Sequence, residues 1–236
     1  MLARAMDGAP AEVTGVQLVR WASDHDWARE TRRSIYNSIR AFFRWAVAEG
    51  WTATDPTGSL PPVKSAPPRP RPAPDAAYRD ALLRADERTA LILRMAAEAG
   101  LRRAEIAGVH RTDLVEDLDG WSLLVHGKGE RDRLVPLPRG LATTVRGACM
   151  AGGGWMLPSI HGDHLQPRAV GKLAAEVLPE GWTLHTLRHR FATLAYRGSG
   201  DLLAVQQLLG HTSPTTTQRY VAVDQGRLRT VAGSAA

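Results

Sequence analysis

The stretch LGHTSPTTTQRY sets His211 and Tyr220 nine residues apart. A Tyr hydroxyl is a nucleophile once a neighbour takes its proton, and a His can donate a hydrogen bond to the group under attack. The same stretch also reads as a helix end, a turn and a Tyr ring packed on a core. Arg102 and Arg103, in AGLRRAEIAG, open a helix directly after Gly100, where the helix dipole disfavours cations. A bound anion reverses that penalty, because free N–H groups and guanidinium forks both take phosphate oxygens. Glu105, in the first turn, is placed to offset the charge or to orient Arg102. An exposed pair on an Arg-rich chain is the plainer reading.

Lys128 lies between glycines in HGKGERDRLVP, at the tip of a hairpin turn. Of the 30 basic residues only three are Lys (Lys64, Lys128, Lys172). A Lys kept at such a tip can release a proton where Arg cannot, so a general acid and an ordinary polar turn residue both fit. In TLHTLRHRFATLAY, the apolar residues Leu184, Leu187, Phe191 and Leu194 define a buried helix face. His185, Arg188 and His189 share the neighbouring face at spacings of three and four. Zinc is a poor fit: Thr186 stands where a metalloprotease helix needs Glu, and an Arg between the two His repels a cation. His161 and His164, in HGDH, make a weaker metal pattern in an expected loop.

These groups need a scaffold. Seven of the fifteen prolines fall between Pro61 and Pro74, which predicts an extended connector carrying Lys64, Arg69 and Arg71. Before it, TGVQLVRWASDH predicts a short helix capped by Thr14 and carrying Val16, Val19 and Trp21. A longer helix follows, with Ile35, Ile39, Phe42, Phe43 and Ala46 as its apolar stripe and Gly50 just past its end. Arg32, Arg33, Arg40 and Arg44 lie on its other faces, as a solvated surface or as contacts to a phosphate backbone. After the connector, DAAYRDALLRA and ERTALILRMAAEAG predict helices. The region from Asp113 to Pro138 alternates and turns at Asp119-Gly120 and at Gly127-Lys128-Gly129, as a small antiparallel sheet does. Helices resume near Leu165, with a break near Pro179. DLLAVQQLLG predicts a helix from its cap Asp201 to Gly210, and Ser213-Pro214 starts another that carries Tyr220. The expected class is mainly α with a small antiparallel sheet.

At 236 residues, one or two domains are expected. A net charge of +6 points to a polyanionic partner, although an Arg-rich genome composition yields the same excess. A single cysteine, Cys149, excludes an internal disulfide framework and a multi-Cys metal site. No apolar run approaches the roughly 18 residues of a membrane span and no signal-peptide pattern opens the chain, so a cytoplasmic protein is expected.

Taken together, GLRRAEI, GKG before RLVPL, HTLRH and LGHTSPTTTQRY resemble the tyrosine recombinases, the phage-integrase family of site-specific DNA strand exchangers. The match runs in order from Arg102 to Tyr220. The resemblance implies that Tyr220 attacks a DNA phosphate and keeps the 3′ end as a phosphotyrosine. It implies that Arg102 and Arg188 neutralise the transition state and that Lys128 protonates the leaving oxygen. His185 then assists proton transfer at Tyr220, and His211 binds a non-bridging oxygen. Glu105 supports and His189 is structural. No cofactor, ATP or divalent metal is implied.

The implied architecture is a clamp: a helical core-binding domain over 1–60, a basic Pro-rich linker over 61–74 and a catalytic domain over 75–236. Arg32, Arg33, Arg40, Arg44, Lys64, Arg69, Arg71 and Arg103 are its DNA-backbone candidates. The implied partner is a double-stranded core attachment site, bound by a homotetramer on synapsed DNA. The free protein is then a monomer, with an accessory factor setting direction and with association to the host nucleoid. The N-terminal region is short for the family, which leaves no room for an arm-binding domain. It is either a small natural integrase or a chain truncated at its start. The alternative function is a non-catalytic DNA-binding relative, disfavoured because every catalytic position holds a suitable residue. The small, apolar tail TVAGSAA is either a disordered end or a tag for bacterial unfoldase-proteases.

Overall fold

The computed structural model describes residues 9–64, 71–127 and 132–210. The expectations for Arg69, Lys128, His211, Tyr220, the helix opening at Ser213-Pro214 and the Ala-Ala tail lie outside them. The chain divides into two compact units, Met1–Pro68 and Arg69–Ala236, and the division falls inside the Pro-rich segment.

In the first unit, Thr14 caps helix α1 (Gly15–Ser23): its hydroxyl accepts from the Gln17 amide at 3.3 Å, and Gln17 returns a bond to the Thr14 amide at 2.8 Å. Two backbone donors that a helix start leaves orphaned are thereby satisfied. Helix α2 (Arg29–Ala48) ends where Trp51 donates to the Ala46 carbonyl at 2.8 Å around Gly50, which takes a φ of 73°. The core joins Leu18, Trp21 and Ala22 of α1 to Tyr36, Ile39 and Phe43 of α2, with Leu60 beneath. Burying a side chain such as Leu18 or Phe43 contributes about 1.5–3 kcal/mol. The apolar stripes differ in detail from expectation. Val16, Val19 and Phe42 face solvent, while Leu18 and Tyr36 take the inner positions. The period predicts the helix, but the neighbour decides which edge of the stripe is covered.

The second unit is built around helix α4 (Glu87–Glu98), which Asp86 caps and which is buried along Leu91, Ile92, Leu93, Met95, Ala96 and Ala97. Against it pack α3 (Asp75–Arg84), α5 (Arg103–Ala107), α6 (Arg139–Ala151), α7 (Pro167–Val177) and α8 (Leu184–Ser199). Its apolar residues cover most of its circumference, and the remaining side carries the Arg94–Glu98 pair at 3.0 Å. The sheet is antiparallel in the order β1 (Leu114–Asp117), β2 (Gly120–Val125), β3 (Arg133–Leu137). Leu123 faces Leu114 across one ladder and Val125 faces Arg133 across the other. The first turn is Leu118-Asp119, with the Asp117 carboxylate accepting from the Asp119 and Gly120 amides at 2.9 and 3.0 Å, and Gly120 is already the first strand residue. Fold class is thus mainly α with a small antiparallel sheet.

Helix α6 falls where no helix was expected before Leu165. Gly140 and Gly147, with β-branched Thr143, Thr144 and Val145, lower its propensity. Packing compensates, because Leu141, Ala142, Val145 and Cys149 are all buried in the main core. The last described helix, α9 (Leu202–Leu209), is capped by Asp201, which accepts from Ala204 at 2.9 Å, and ends at Gly210 in the left-handed conformation. Val205 and Leu209 of α9 pack with Ala192 and Tyr196 of α8. Among the described residues, no helix is long and apolar enough to cross a membrane.

Candidate active site

Three sequence-predicted residues, Arg102, His185 and Arg188, line one pocket of about 500 Å³, walled by Leu101, Leu178 and Leu184 and bordered by Arg103. Helix α8 supplies two of them. Thr183 and Thr186 exchange side-chain bonds with each other's amides at 3.3 and 2.9 Å, which sets the first turn and aims His185 and Arg188. That end of the helix carries the positive pole of its dipole, so a bound anion is favoured there.

Arg188 is only 3% exposed. Its Nη1 donates to the Gly100 carbonyl, and its Nη2 donates to the Leu209 carbonyl at 2.5 Å. A buried guanidinium held this way is fixed in direction, and burial without such partners would cost several kcal/mol. Gly100 is required twice over: its φ is 68°, and an added Cβ would collide with the Phe191 ring. The expectation for α8 therefore needs a correction. Arg188 sits on the buried side with Leu184 and Leu187, whereas Leu194 is 42% exposed. Paired polar groups can occupy a core face, and a hydrophobic pattern does not register them.

Arg102 is half exposed, and it works as a pair with Glu105. The Glu105 carboxylate accepts from the Arg102 amide and from its Nη1, both at 2.7 Å. The Arg102 Nη2 also reaches the Gly210 carbonyl at 3.3 Å. Glu105 is buried, with 6% of its side chain exposed, and Arg188 stands 3.8 Å from it. Burial alone would raise its pKa; the Arg133 fork and the Arg102 amide and guanidinium outweigh burial and hold the carboxyl down at about 2. Glu105 is consequently ionised at any physiological pH.

Arg133, at the start of β3, was not singled out by the sequence. Its fork donates to both Glu105 oxygens at 3.1 and 2.9 Å, and its Nε donates to the Leu208 carbonyl at 2.8 Å. The available signal was an Arg opening RLVPL, a strand whose other residues are all apolar. Such a residue needs a partner if the strand is buried, and Glu105 was the acid within the motif set.

His185 lies against His189, ring centroids 4.2 Å apart. Burial of part of its ring, then repulsion from the Arg188 and Arg102 guanidiniums, lowers its pKa below the usual value near 6.5. The imidazole is neutral at pH 7 and can accept a proton. His189 turns the other way, and its Nδ1 accepts from the Arg71 amide at 3.1 Å. At the base of the hairpin that carries Lys128, His126 bonds the Asp132 and Asp113 carboxylates at 2.9 and 3.3 Å, and these partners raise its pKa.

The DNA-backbone candidates have varied settings. Arg40 donates to the Leu60 carbonyl at 2.8 Å, Arg44 to the Arg40 carbonyl at 3.3 Å, and Arg33 pairs with Glu30 at 3.3 Å. Arg32 and Lys64 line an open pocket with Trp27 and Arg29. Arg71 lays its guanidinium over the Trp182 ring, 4.8 Å from the centroid, and Arg103 packs over Gly171.

Arg102, Arg133 and Arg188 share the single carboxylate of Glu105, which leaves the pocket with excess positive charge. A cleft of this kind attracts a phosphate and, with a neutral His beside it, can manage a proton during attack on that phosphate. The comparisons with known proteins point the same way. The phage integrase family profile matches residues 77–227. A tyrosine recombinase XerC of Rhodospirillum centenum is 35% identical over 224 residues, 85% of this chain and 64% of that protein. The XerC of Bradyrhizobium diazoefficiens is 33% identical, covering 84% of this chain and 68% of its own length. The chain thus spans about two thirds of the length of these relatives. In fold, it is similar to a lambda integrase tetramer bound to a Holliday junction, with a TM-score of 0.70 at 20% identity over 91% of this chain and 69% of that one. The chain with this arginine-lined pocket belongs to the phage integrase family of tyrosine recombinases.

Proposed function

We propose that the protein is a site-specific DNA recombinase that cuts and rejoins duplex DNA through a phosphotyrosine at Tyr220. The observation that carries this reading is the convergence of Arg102, His185 and Arg188 on one pocket, with Arg188 buried and oriented by two carbonyls. In the reaction, the Tyr220 hydroxyl attacks the scissile phosphorus and gives up its proton, with neutral His185 as the acceptor. Arg102 and Arg188 neutralise the pentacovalent phosphorane, where loss of one preorganised donor costs roughly 3–4 kcal/mol. The bond to the 5′ oxygen breaks, and Lys128 protonates that oxygen, while His211 holds a non-bridging oxygen. The phosphorus stays ester-bonded to the 3′ end and to Tyr220. A 5′ hydroxyl from a second duplex then attacks it, which restores the phosphodiester and the free Tyr without ATP. Two guanidiniums do the electrostatic work that a metal does elsewhere.

Residues 1–60 serve as a core-binding domain, 61–74 as a linker and 75–236 as the catalytic domain. Arg32, Arg33, Arg44, Lys64, Arg69 and Arg103 contact the phosphate backbone, joined by Arg40 and Arg71 from their intramolecular settings. The protein acts as a homotetramer on two synapsed sites and is monomeric when free. An accessory factor sets direction, and the protein works on the host nucleoid.

The test uses a supercoiled plasmid carrying the DNA that flanks the gene, incubated with protein in EDTA and quenched with detergent. A protein–DNA adduct with wild type that is lost in Tyr220→Phe supports the reading. Binding to a demonstrated site without any adduct would replace it with a non-catalytic DNA-binding function.

A further inference from the structure

We infer that Arg133 is a positioning residue for strand cleavage: it locks Glu105 and the end of α9 together and so sets the catalytic guanidiniums. This rests on the recombinase reading above. Three consecutive carbonyls at the C-terminus of α9 each accept from a different arginine: Leu208 from Arg133 at 2.8 Å, Leu209 from Arg188 at 2.5 Å and Gly210 from Arg102 at 3.3 Å. A helix end leaves its last carbonyls without partners and carries partial negative charge, so cations there are doubly favoured. The chain that leaves this helix end leads to His211 and Tyr220.

Arg133 differs from the other two. It is absent from the lining of the pocket that Arg102 and Arg188 share, so it is not placed to touch a substrate there. Instead its fork takes both Glu105 oxygens at 3.1 and 2.9 Å, and Glu105 in turn holds Arg102 at 2.7 Å. It also begins β3, the strand that returns from the Lys128 hairpin. One guanidinium thus ties the hairpin strand, the acid that aims Arg102, and the helix end before Tyr220. Gly210 fits the same device: its φ is 59°, and a Cβ there would stand 3.0 Å from Arg133 Nη1. Only a fork meets these demands, because an ammonium cannot bond two carboxylate oxygens and a carbonyl at such fixed angles.

The test is a double-mutant cycle on the single-turnover rate of adduct formation at saturating DNA. Arg133→Gln is expected to lower that rate about 100-fold, with DNA affinity within about 3-fold, since the residue acts on the transition state and not on binding. Glu105→Gln gives a similar loss, and the pair together loses little more than either alone. Arg133→Lys recovers most of the melting temperature but not the rate. Multiplying losses in the double mutant, or recovery of both properties by Lys, would overturn the inference. Hydrogen exchange separates its failure from that of the recombinase reading. Whether or not wild type forms an adduct, Arg133→Gln must speed exchange at Leu202–Leu209 while leaving α4 protected; unchanged exchange at α9 refutes the positioning role.

Discussion

The two units handle arginine in opposite ways. In the first, Arg33, Arg40 and Arg44 lie along α2 and bond to Glu30 or to nearby backbone carbonyls. None of them is buried in the apolar core of Leu18, Tyr36 and Phe43. In the second, Arg133 and Arg188 are sunk into the protein, where one carboxylate and several carbonyls fix them. Exposed arginines act through summed, salt-screened charge and tolerate loss one at a time. Buried, forked arginines act through direction, and losing one leaves partners stranded. Affinity should reside in the first kind and chemistry in the second.

The sharpest break in that comparison is Arg188→Ala. The expected loss is about 1,000-fold or more in single-turnover adduct rate, because a preorganised charge donor is removed. Arg188→Lys should rescue poorly, since one ammonium cannot span the Gly100 and Leu209 carbonyls. Next comes Gly100→Ala, which forces a left-handed backbone and a clash with Phe191. Urea unfolding should show a loss of about 2–4 kcal/mol, while an alanine at exposed Gly140 costs nothing comparable.

Titration sharpens the same contrast. Glu105 has a folded pKa of about 2, below its unfolded value, so its contribution to stability is fully present above about pH 4.5. That contribution is lost as pH falls through about 2, and Glu105→Gln should flatten the acid limb of a stability profile. His185 is also depressed, by burial and then by the Arg188 and Arg102 guanidiniums, so its neutral form favours folding, fully above the ordinary value near 6.5 and less as pH falls through the lowered folded pKa. The adduct rate should therefore persist below pH 6.5 and fall only as pH drops through that lowered pKa, and His185→Gln should remove this limb.

Effects in the first unit should be smaller and of another kind. Arg32→Ala with Arg44→Ala should weaken DNA binding and shallow the log–log salt dependence by about one for each phosphate no longer neutralised. The rate at saturating DNA should stay within about 2-fold. Least of all, Val16→Thr, on an exposed position, should change stability by under about 0.5 kcal/mol, whereas Leu18→Ala should cost about 2–4 kcal/mol.

Much of this was legible beforehand, for physical reasons. Thr14 and Asp201 start helices because their oxygens accept orphaned amides, and Gly50 and Gly210 end them because their φ values are positive. Arg102 was legible as a cation at a helix start, but Arg102, His185 and Arg188 were legible as a set only because their motifs together resemble those of the tyrosine recombinases. Arg133 was not, since its partners Glu105 and Leu208 are brought to it only by folding. Helix α6 was hidden by its glycines and threonines, whose low propensity is overridden by burial of Leu141 and Val145. Likewise the swap of Phe42 for Tyr36 on α2 depends on what α1 covers.

The most direct test of the central claim is to map the covalent bond. Wild-type protein is trapped on a cleavage-competent DNA site in EDTA, digested with protease, and the DNA-linked peptide is sequenced by mass spectrometry. The account predicts a nucleotide on the peptide that contains Tyr220, absent from Arg188→Ala. Attachment to any other residue, or cleavage that EDTA abolishes, would contradict it.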